Sequence, residues 1–204
     1  MGQGSSCWGC FQSLVDIHMN LATVLPQLDI KYWQCVVDYK LHDLENYPDK
    51  SIAVGLYEGM ARTEEDVHLL KVMREKCQTL IAFGTCSCFG GIPGLANFSD
   101  IEECLDVKFR ENKTVSGGEV PSENLPGIAP VVKPNTDYVD FEIFLPGCPP
   151  TSKLILTAIT ALLKGEPIEL PPHTVRHYCA LEKKETPIDK ILRHYQGIAD
   201  RDLC

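Results

Sequence analysis

The sequence lacks a long run of lysine and arginine. Its 19 basic residues are outnumbered by 28 acidic ones, which gives a formal net charge of -9. Nucleic acids and anionic membrane surfaces are bound through clustered positive charge, and the sequence contains no such cluster. We therefore expect neither nucleic acid nor a charged lipid surface as a partner.

The sequence also lacks an apolar run long enough to span a bilayer. The longest run, near residues 154–163, is interrupted by Thr157 and Thr160 and falls well short of the roughly 20 residues that a spanning helix needs. No charged and apolar leader precedes Cys7, so the sequence shows no export signal and we expect a cytoplasmic protein. Disulfides are rare in that compartment, so the ten cysteines require another explanation.

The first two cysteines stand in the stretch Cys7-Trp8-Gly9-Cys10. Two thiols at this spacing point the same way at a turn. They are compatible with a redox dithiol, with half of a zinc site, or with two ligands of an iron–sulfur cluster. The pair alone leaves these three interpretations open.

Short apolar runs alternate with helical patterns along the chain, which predicts an α/β fold with a doubly wound parallel sheet. The predicted strands lie at 30–38, 51–59, 79–86 and 141–148, and the predicted helices at 12–25, 63–77 and 151–165. Residues 109–139 are rich in glycine, proline and charge and predict a surface insertion. We expect one main domain over 1–165, followed by a proline-rich connector and a small tail over 166–204.

Four cysteines fall at one edge of this predicted sheet. Cys86 and Cys148 each end a predicted strand, and the Cys7/Cys10 pair directly precedes a predicted helix. The carboxyl edge of a parallel sheet is where open α/β folds place their sites. Nearby glycines allow tight turns and leave main-chain N–H groups free to donate to sulfur: Gly84, Gly90, Gly91 and Gly147. Four thiols in such a setting suit a [4Fe–4S] cluster.

Four motifs follow one another along the chain: "CWGC", "YEG", "GTCSCFGGIPGLAN" and "PGCPP". Together they resemble the small, electron-transferring subunit of [NiFe] hydrogenases, which has a flavodoxin-like fold. The third motif resembles the cytoplasmic, methyl-viologen-reducing branch, which is associated with heterodisulfide reductase and methanogenesis. The resemblance covers roughly residues 4–165. Respiratory complex I has a related subunit, but that subunit carries adjacent cysteines at the first position, so the hydrogenase interpretation ranks above it.

The resemblance implies a set of roles for this chain. The ligands of one [4Fe–4S] cluster fall on Cys7, Cys10, Cys86 and Cys148. Glu58, in "YEG", stands where the family has an acidic residue beside that cluster, with a structural or proton-handling role. The Ni–Fe centre lies in a separate large subunit. This chain would carry electrons from dihydrogen oxidation there to a downstream acceptor such as heterodisulfide reductase.

The remaining cysteines receive other interpretations. We expect Cys35, Cys77 and Cys104 to be packing residues, and Cys88 to be a minor alternative to Cys86 as a ligand. In the tail, Cys179 and Cys204, with His177 as a further candidate, match the opening of a second cluster site. That site has no later cysteine to complete it. We therefore expect a C-terminally shortened chain that holds one complete cluster.

Two rival classes remain open at this stage. A thiol-disulfide enzyme explains the Cys7/Cys10 pair but leaves Cys86 and Cys148 without a purpose. A structural zinc protein explains four cysteines but not their scatter over several strand ends, because structural zinc usually stabilises small cores. Colour separates these classes, since a cluster gives a brown protein with about four irons per chain.

Overall fold

Four parallel strands form the centre of the structure, a computed structural model that describes residues 1–34, 36–115 and 117–168. The elements in chain order are β1 (Gly2–Gln3), α1 (Gly9–Val15), α2 (Met19–Val24), α3 (Leu41–Glu45), β2 (Ile52–Glu58), α4 (Glu64–Lys76), β3 (Cys77–Phe83), α5 (Gly84–Phe89), α6 (Ile101–Phe109), β4 (Ile143–Leu145) and α7 (Ser152–Lys164). Short 3-10 helices lie at Leu25–Gln27, Pro93–Phe98 and Asn135–Asp137. These residues form one compact unit that ends at Ile168.

The register of the sheet brings all four strand ends to one row. The spatial order is β1-β2-β3-β4, and every neighbouring pair is parallel. Gln3 pairs with Glu58, Glu58 with Phe83, and Phe83 with Leu145, so the last residues of the four strands lie side by side. The predicted α/β class with a parallel sheet is confirmed, and loops that leave this edge are held close together.

Helix α4 covers one face of the sheet. It begins with a capping box in which Thr63 Oγ1 accepts from the Asp66 N–H at 3.1 Å and Asp66 Oδ2 accepts from the Thr63 N–H at 2.9 Å. Leu70 of this helix packs in one core with Tyr57 of β2 and Leu80 of β3. The prediction of a helix starting after Thr63 is confirmed.

Helices α1 and α7 cover the opposite face. Successive side chains of a strand point to opposite faces, so Ile81 and Phe83 face away from the side that Leu80 occupies. They line a cavity of about 500 Å³ together with Leu14 of α1 and Ile155 of α7. Helix α7 ends, as its sequence predicts, at Gly165, which has a positive φ of 68°. Helices therefore flank both faces of the sheet.

Two predicted elements are wrong. The described residues of 30–38 form no strand: the N–H groups of Val36 and Val37 both donate to the Trp33 carbonyl, so the backbone turns there. Tyr32 and Trp33 are buried, which explains the apolar run without a strand. The single helix expected over 12–25 is broken at His18, whose φ of 54° is incompatible with a continuous helix.

The stretch expected to be a surface insertion, 109–139, has little regular structure where it is described. Two of its residues nevertheless reach the interior, Val132 and Asn135. Among the described residues, no helix is both long enough and apolar enough to cross a membrane.

Candidate metal centre

The four predicted ligand cysteines lie on loops and helices that leave the carboxyl edge of the sheet. Cys7 and Cys10 follow β1, Cys86 follows β3, and Cys148 follows β4. The strand between, β2, ends in Glu58 at the same edge. Because the strand ends are aligned, the structure brings the four cysteines and Glu58 to one place.

Two serines anchor the loop that carries Cys7. Ser5 Oγ donates to Asp66 Oδ2 at 2.9 Å, which ties the loop to the start of α4. Ser6 Oγ donates to Glu58 Oε1 at 2.8 Å and accepts from the Trp8 N–H at 3.2 Å. The loop is thereby fixed to two neighbouring elements directly before its first cysteine.

Trp8 turns the chain between the two cysteines of this loop. Its φ of 68° places it in the left-handed region, and α1 starts at the following residue, so Cys10 lies in the first turn of the helix. The Trp8 ring is 39% exposed and packs on Phe11 with ring centroids 5.6 Å apart. The two cysteines of the pair are therefore presented by a turn and by a helix start.

Two reciprocal hydrogen bonds join the start of α5, which carries Cys86, to the loop that carries Cys148. The Thr85 N–H donates to the Gly147 carbonyl at 2.8 Å, and the Gly147 N–H donates to Thr85 Oγ1 at 3.1 Å. Across the site, Ser13 Oγ donates to the Pro150 carbonyl, so the helix that carries Cys10 is bound to the loop of Cys148. Each ligand-bearing segment is thus connected to another.

Glycines make room for the sulfur atoms. A Cβ at Gly84, where φ is 86°, would lie 2.2 Å from the Cys10 Sγ, closer than non-bonded atoms approach. A Cβ at Gly91 would lie 3.0 Å from the Cys86 Sγ. The backbone therefore approaches two of the four thiols as closely as glycine allows.

The surroundings of Cys10 and Cys86 raise the pKa of both thiols. Burial raises the pKa of the Cys10 thiol to about 12, and the carboxylate of Glu58 and the other three thiols contribute to that rise. Burial also raises the pKa of Cys86, with added effects from Cys148 and Cys7, while the N–H of Ile92 donates to the sulfur and acts in the opposite direction. Thiols of this kind release their protons when positive metal is bound beside them.

Glu58 is a buried carboxylate in the same place. It is 1% exposed, and its Oε2 has no hydrogen-bond partner within the described part of the chain. Burial raises its pKa, whereas the Ser6 hydroxyl and the N–H of Phe11 lower it. A half-satisfied buried carboxylate is costly, and in native structures it calls for a specific explanation.

The arrangement fits a multi-iron cluster. Among the described residues, no three His, Cys, Asp or Glu side chains are grouped as ligands of a single metal ion. A [4Fe–4S] cluster instead takes one thiolate at each of four irons, so its ligands come from separate segments around a shared space. Four thiols on three separate segments of the chain, with glycine close to two of the sulfurs, match that donor set.

The other predicted cysteines divide as follows. Cys88 points into the interior, where its Sγ donates to the Ala82 carbonyl at 3.3 Å and burial raises its pKa to about 12. Cys77 is buried, as expected of a packing residue, and begins β3. The expectation for Cys104 is wrong, because it is exposed on α6. Cys35 and the tail candidates Cys179, Cys204 and His177 lie outside the described residues.

Three residues that hold this edge together stand in no recognisable motif. Ser5 and Ser6 bind partners far along the chain, and Asn135 reaches the edge from the irregular stretch after α6. The only local signal was the position of the serines directly before Cys7.

An exposed apolar strip follows Cys86 along the chain. It consists of Phe89, Ile92, Leu95 and Phe98, which are 69%, 66%, 59% and 86% exposed. Large apolar side chains exposed in a row are typical of a surface that another protein covers.

Comparison with known proteins places the chain among redox enzymes. The family model for the NADH ubiquinone oxidoreductase 20 kDa subunit matches residues 7–162, a range that includes all four edge cysteines. A subunit of the F420-non-reducing hydrogenase vhu of Methanocaldococcus jannaschii is 40% identical over 204 residues, which is 100% of this chain and 69% of that protein.

The chain is also similar to a second hydrogenase subunit and to a chain of a solved hydrogenase structure. The NAD-reducing hydrogenase HoxS subunit delta of Cupriavidus necator is 30% identical over 175 residues, covering 84% of this chain and 80% of that protein. A chain in the crystal structure of an NAD+-reducing [NiFe]-hydrogenase in the H2-reduced state superposes with a TM-score of 0.76 at 28% identity, covering 84% of this chain and 93% of that one. The chain therefore belongs to the NADH ubiquinone oxidoreductase 20 kDa subunit family and is a hydrogenase subunit within it.

Proposed function

We propose that this chain is the electron-transfer subunit of a [NiFe] hydrogenase and holds one [4Fe–4S] cluster through Cys7, Cys10, Cys86 and Cys148. One observation carries the proposal: four cysteines from three separate segments of the chain lie together where the aligned strands end. A redox dithiol would need only the first two of them, and the other two would have no role.

The residues of the chain hold the cluster and set its surroundings. When bound, a [4Fe–4S] cluster accepts and releases single electrons at a potential that its surroundings determine. The Ile92 N–H donates to the Cys86 sulfur, and such donors stabilise a thiolate. The Trp8 ring, between Cys7 and Cys10, packs on the Phe11 ring. The buried Glu58 adds a carboxyl group near Cys10.

The partner is the large subunit that contains the Ni–Fe centre, where dihydrogen is oxidised. A cluster that receives electrons from that centre has to lie near the interface. The apolar strip directly after Cys86 provides a surface of the right character at that position, because partner-binding surfaces are rich in aromatic and large aliphatic side chains. We therefore assign the apolar strip to the large subunit.

The acceptor and the compartment follow from the same resemblance. We propose a downstream acceptor such as heterodisulfide reductase, a role in methanogenesis and a cytoplasmic location. The similarity to a methanogen hydrogenase subunit supports this assignment. The division into a cluster-binding domain over 1–165 and a connector with the start of a second cluster site over 166–204 is also proposed, with Cys179, Cys204 and His177 as candidate ligands of that site.

A role in a quinone-reducing enzyme is the alternative, because the matching family model is described by such an enzyme. The two functions differ in their large subunit, since only the hydrogenase contains nickel.

The test uses the native complex, isolated without oxygen through a tag on this chain. We expect a nickel-containing subunit to copurify and dihydrogen alone to bleach the visible absorption of the cluster. In the Cys86→Ser variant that bleaching should be lost. A complex without nickel, or one whose absorption responds to dithionite but not to dihydrogen, would contradict the hydrogenase assignment.

A further inference from the structure

Asn135 is a buried amide that none of the proposed roles uses. It is 1% exposed and comes from the 3-10 turn Asn135–Asp137, before β4. Its Oδ1 accepts from the Ala61 N–H at 2.9 Å, and its Nδ2 donates to the Gly59 carbonyl at 2.9 Å and to Ser87 Oγ at 3.2 Å. A side chain with this many buried bonds is held in a single orientation.

These bonds connect two segments of the candidate metal centre. Gly59 directly follows Glu58 at the end of β2, and Ser87 directly follows Cys86 in α5. Gly59 has a φ of 79°, and a Cβ there would lie 2.7 Å from the Ser5 carbonyl, so the chain turns sharply beside the loop of Cys7. The amide of Asn135 therefore bridges the turn after the carboxylate and the helix of a ligand cysteine.

The spacing that this bridge maintains has an electrostatic consequence. Glu58 pairs in register with Phe83, three positions before Cys86, and its Oε1 accepts from Ser6, directly before Cys7, so the carboxyl group lies between two ligand-bearing segments. Charge and dipoles beside the ligands of an iron–sulfur cluster change its reduction potential. A change in the distance between Glu58 and Cys86 would therefore appear as a change in potential.

We propose that Asn135 is a positioning residue that sets the placement of Glu58 relative to Cys86 and thereby tunes the reduction potential of the cluster. The inference rests on the proposed function, since it requires a cluster at the four cysteines. It assigns a redox role to a residue of the irregular stretch after α6, which contributes no ligand.

Two variants alter the bridge to different extents. Asn135→Asp keeps the acceptor for Ala61 but replaces the Nδ2 that donates to the Gly59 carbonyl and to Ser87 Oγ with an oxygen. Ser87→Ala removes only the hydroxyl at α5. The matched control is Asn97→Asp, because Asn97 Nδ2 donates to the Val132 carbonyl at 2.9 Å and its Oδ1 accepts from the Val132 N–H at 2.8 Å. This control makes the same chemical change and loosens the same loop, without contact to Gly59 or Ser87.

The readouts are iron per chain, the midpoint potential from an EPR-monitored titration of the native complex, and the unfolding temperature of the cluster-free chain. We expect both bridge variants to retain iron and to shift the midpoint potential, whereas Asn97→Asp keeps the wild-type value. In a Glu58→Gln background the Asn135→Asp shift should shrink, because the group it positions has changed.

Iron loss confined to the two bridge variants, with the unfolding temperature of the cluster-free chain unchanged, would show that the bridge is needed to bind the cluster and would overturn a tuning role. Unshifted potentials in both variants, an equal shift in Asn97→Asp, or iron loss accompanied by a lower unfolding temperature would overturn it. A wild-type chain without iron would reject the proposed function itself, and the wild type is measured first for that reason.

Discussion

At the scale of single residues, Glu58 has the most costly environment among the groups described at the edge. One carboxylate oxygen accepts from Ser6, the other has no hydrogen-bond partner among the residues that the structure describes, and the residue is almost fully buried. Burial dominates and raises its pKa. A carboxyl group whose folded pKa is raised favours folding while it is protonated, and its contribution is lost as the pH rises through that pKa.

Replacement of Ser6 should lower the unfolding free energy, because the buried Glu58 carboxylate then loses a hydrogen-bond donor. Ser6→Ala removes a donor that lowers the pKa of Glu58, so the variant should lose about 1–3 kcal/mol of unfolding free energy at pH 8. The loss should be smaller at pH 4, where Glu58 is protonated in both proteins. Urea unfolding of the cluster-free chain at both pH values measures it. In Ser6→Ala/Glu58→Gln most of the loss should disappear, and a loss that is independent of pH and of Glu58 would contradict the explanation.

The proposed function separates the cysteines into expected iron ligands and cysteines without that role. We expect Cys86→Ser to lose the cluster, because a ligand is removed and cluster binding is coupled to folding of the edge. Cys88→Ser, two positions away and turned into the interior, should keep about four irons per chain. Cys104→Ser, on the exposed face of α6, is a second control. Equal iron loss in all three variants would show that the ligands are misassigned.

The sequence indicates the candidate ligands of the site but not the residues that hold those ligands in place. Cys7 and Cys10 form a local pair and Cys86 and Cys148 each end a predicted strand, so their positions in the sequence made them candidates, and the resemblance to the hydrogenase small subunit implied that they act as one ligand set. The residues that hold these cysteines in place carry no such local signal. Ser6, for example, donates to Glu58, which lies 52 positions away in the sequence, and the two meet because β1 pairs with β2.

At the scale of elements, strand ends and glycine turns define the site. The strands of 51–59, 79–86 and 141–148 were predictable because buried parallel strands are continuously apolar. The same signal failed for 30–38, since burial of Tyr32 and Trp33 makes a turn look like a strand. The break at His18 has no marker either, because His is common inside helices and only its positive φ reveals the turn.

Gly84, the first residue of α5, should be essential for iron binding because its backbone lies against the Cys10 sulfur. Gly84→Ala places a Cβ 2.2 Å from the Cys10 sulfur and should abolish iron binding. Gly90→Ala is the matched control: its φ of 95° imposes similar backbone strain, but no atom of the described residues beyond its chain neighbours lies within 4 Å of the added Cβ. We expect Gly90→Ala to lower the unfolding temperature and to retain iron. Retained iron in Gly84→Ala would show that the sulfur is not held against this turn.

At the scale of the whole molecule, the proposed contact of the exposed apolar strip with the large subunit can be tested directly. Phe98→Asp places a charge on the most exposed member of the strip and should reduce copurification of the nickel-containing subunit at least tenfold, because a buried unpaired charge destabilises an interface. Met19→Asp, an equally exposed apolar position at 82%, lies on α2 and should leave the yield unchanged. Nickel per tagged chain is the measurement, and equal losses in both variants would remove the strip from the interface.

The central claim is that the four cysteines of the carboxyl edge bind one [4Fe–4S] cluster. Its most direct test is the content of iron, acid-labile sulfide and zinc in the chain purified without oxygen, with visible and EPR spectra of the same sample. We predict a brown protein with about four irons and about four sulfides per chain and negligible zinc. A colourless protein with no metal, or with zinc in place of iron, would contradict the account.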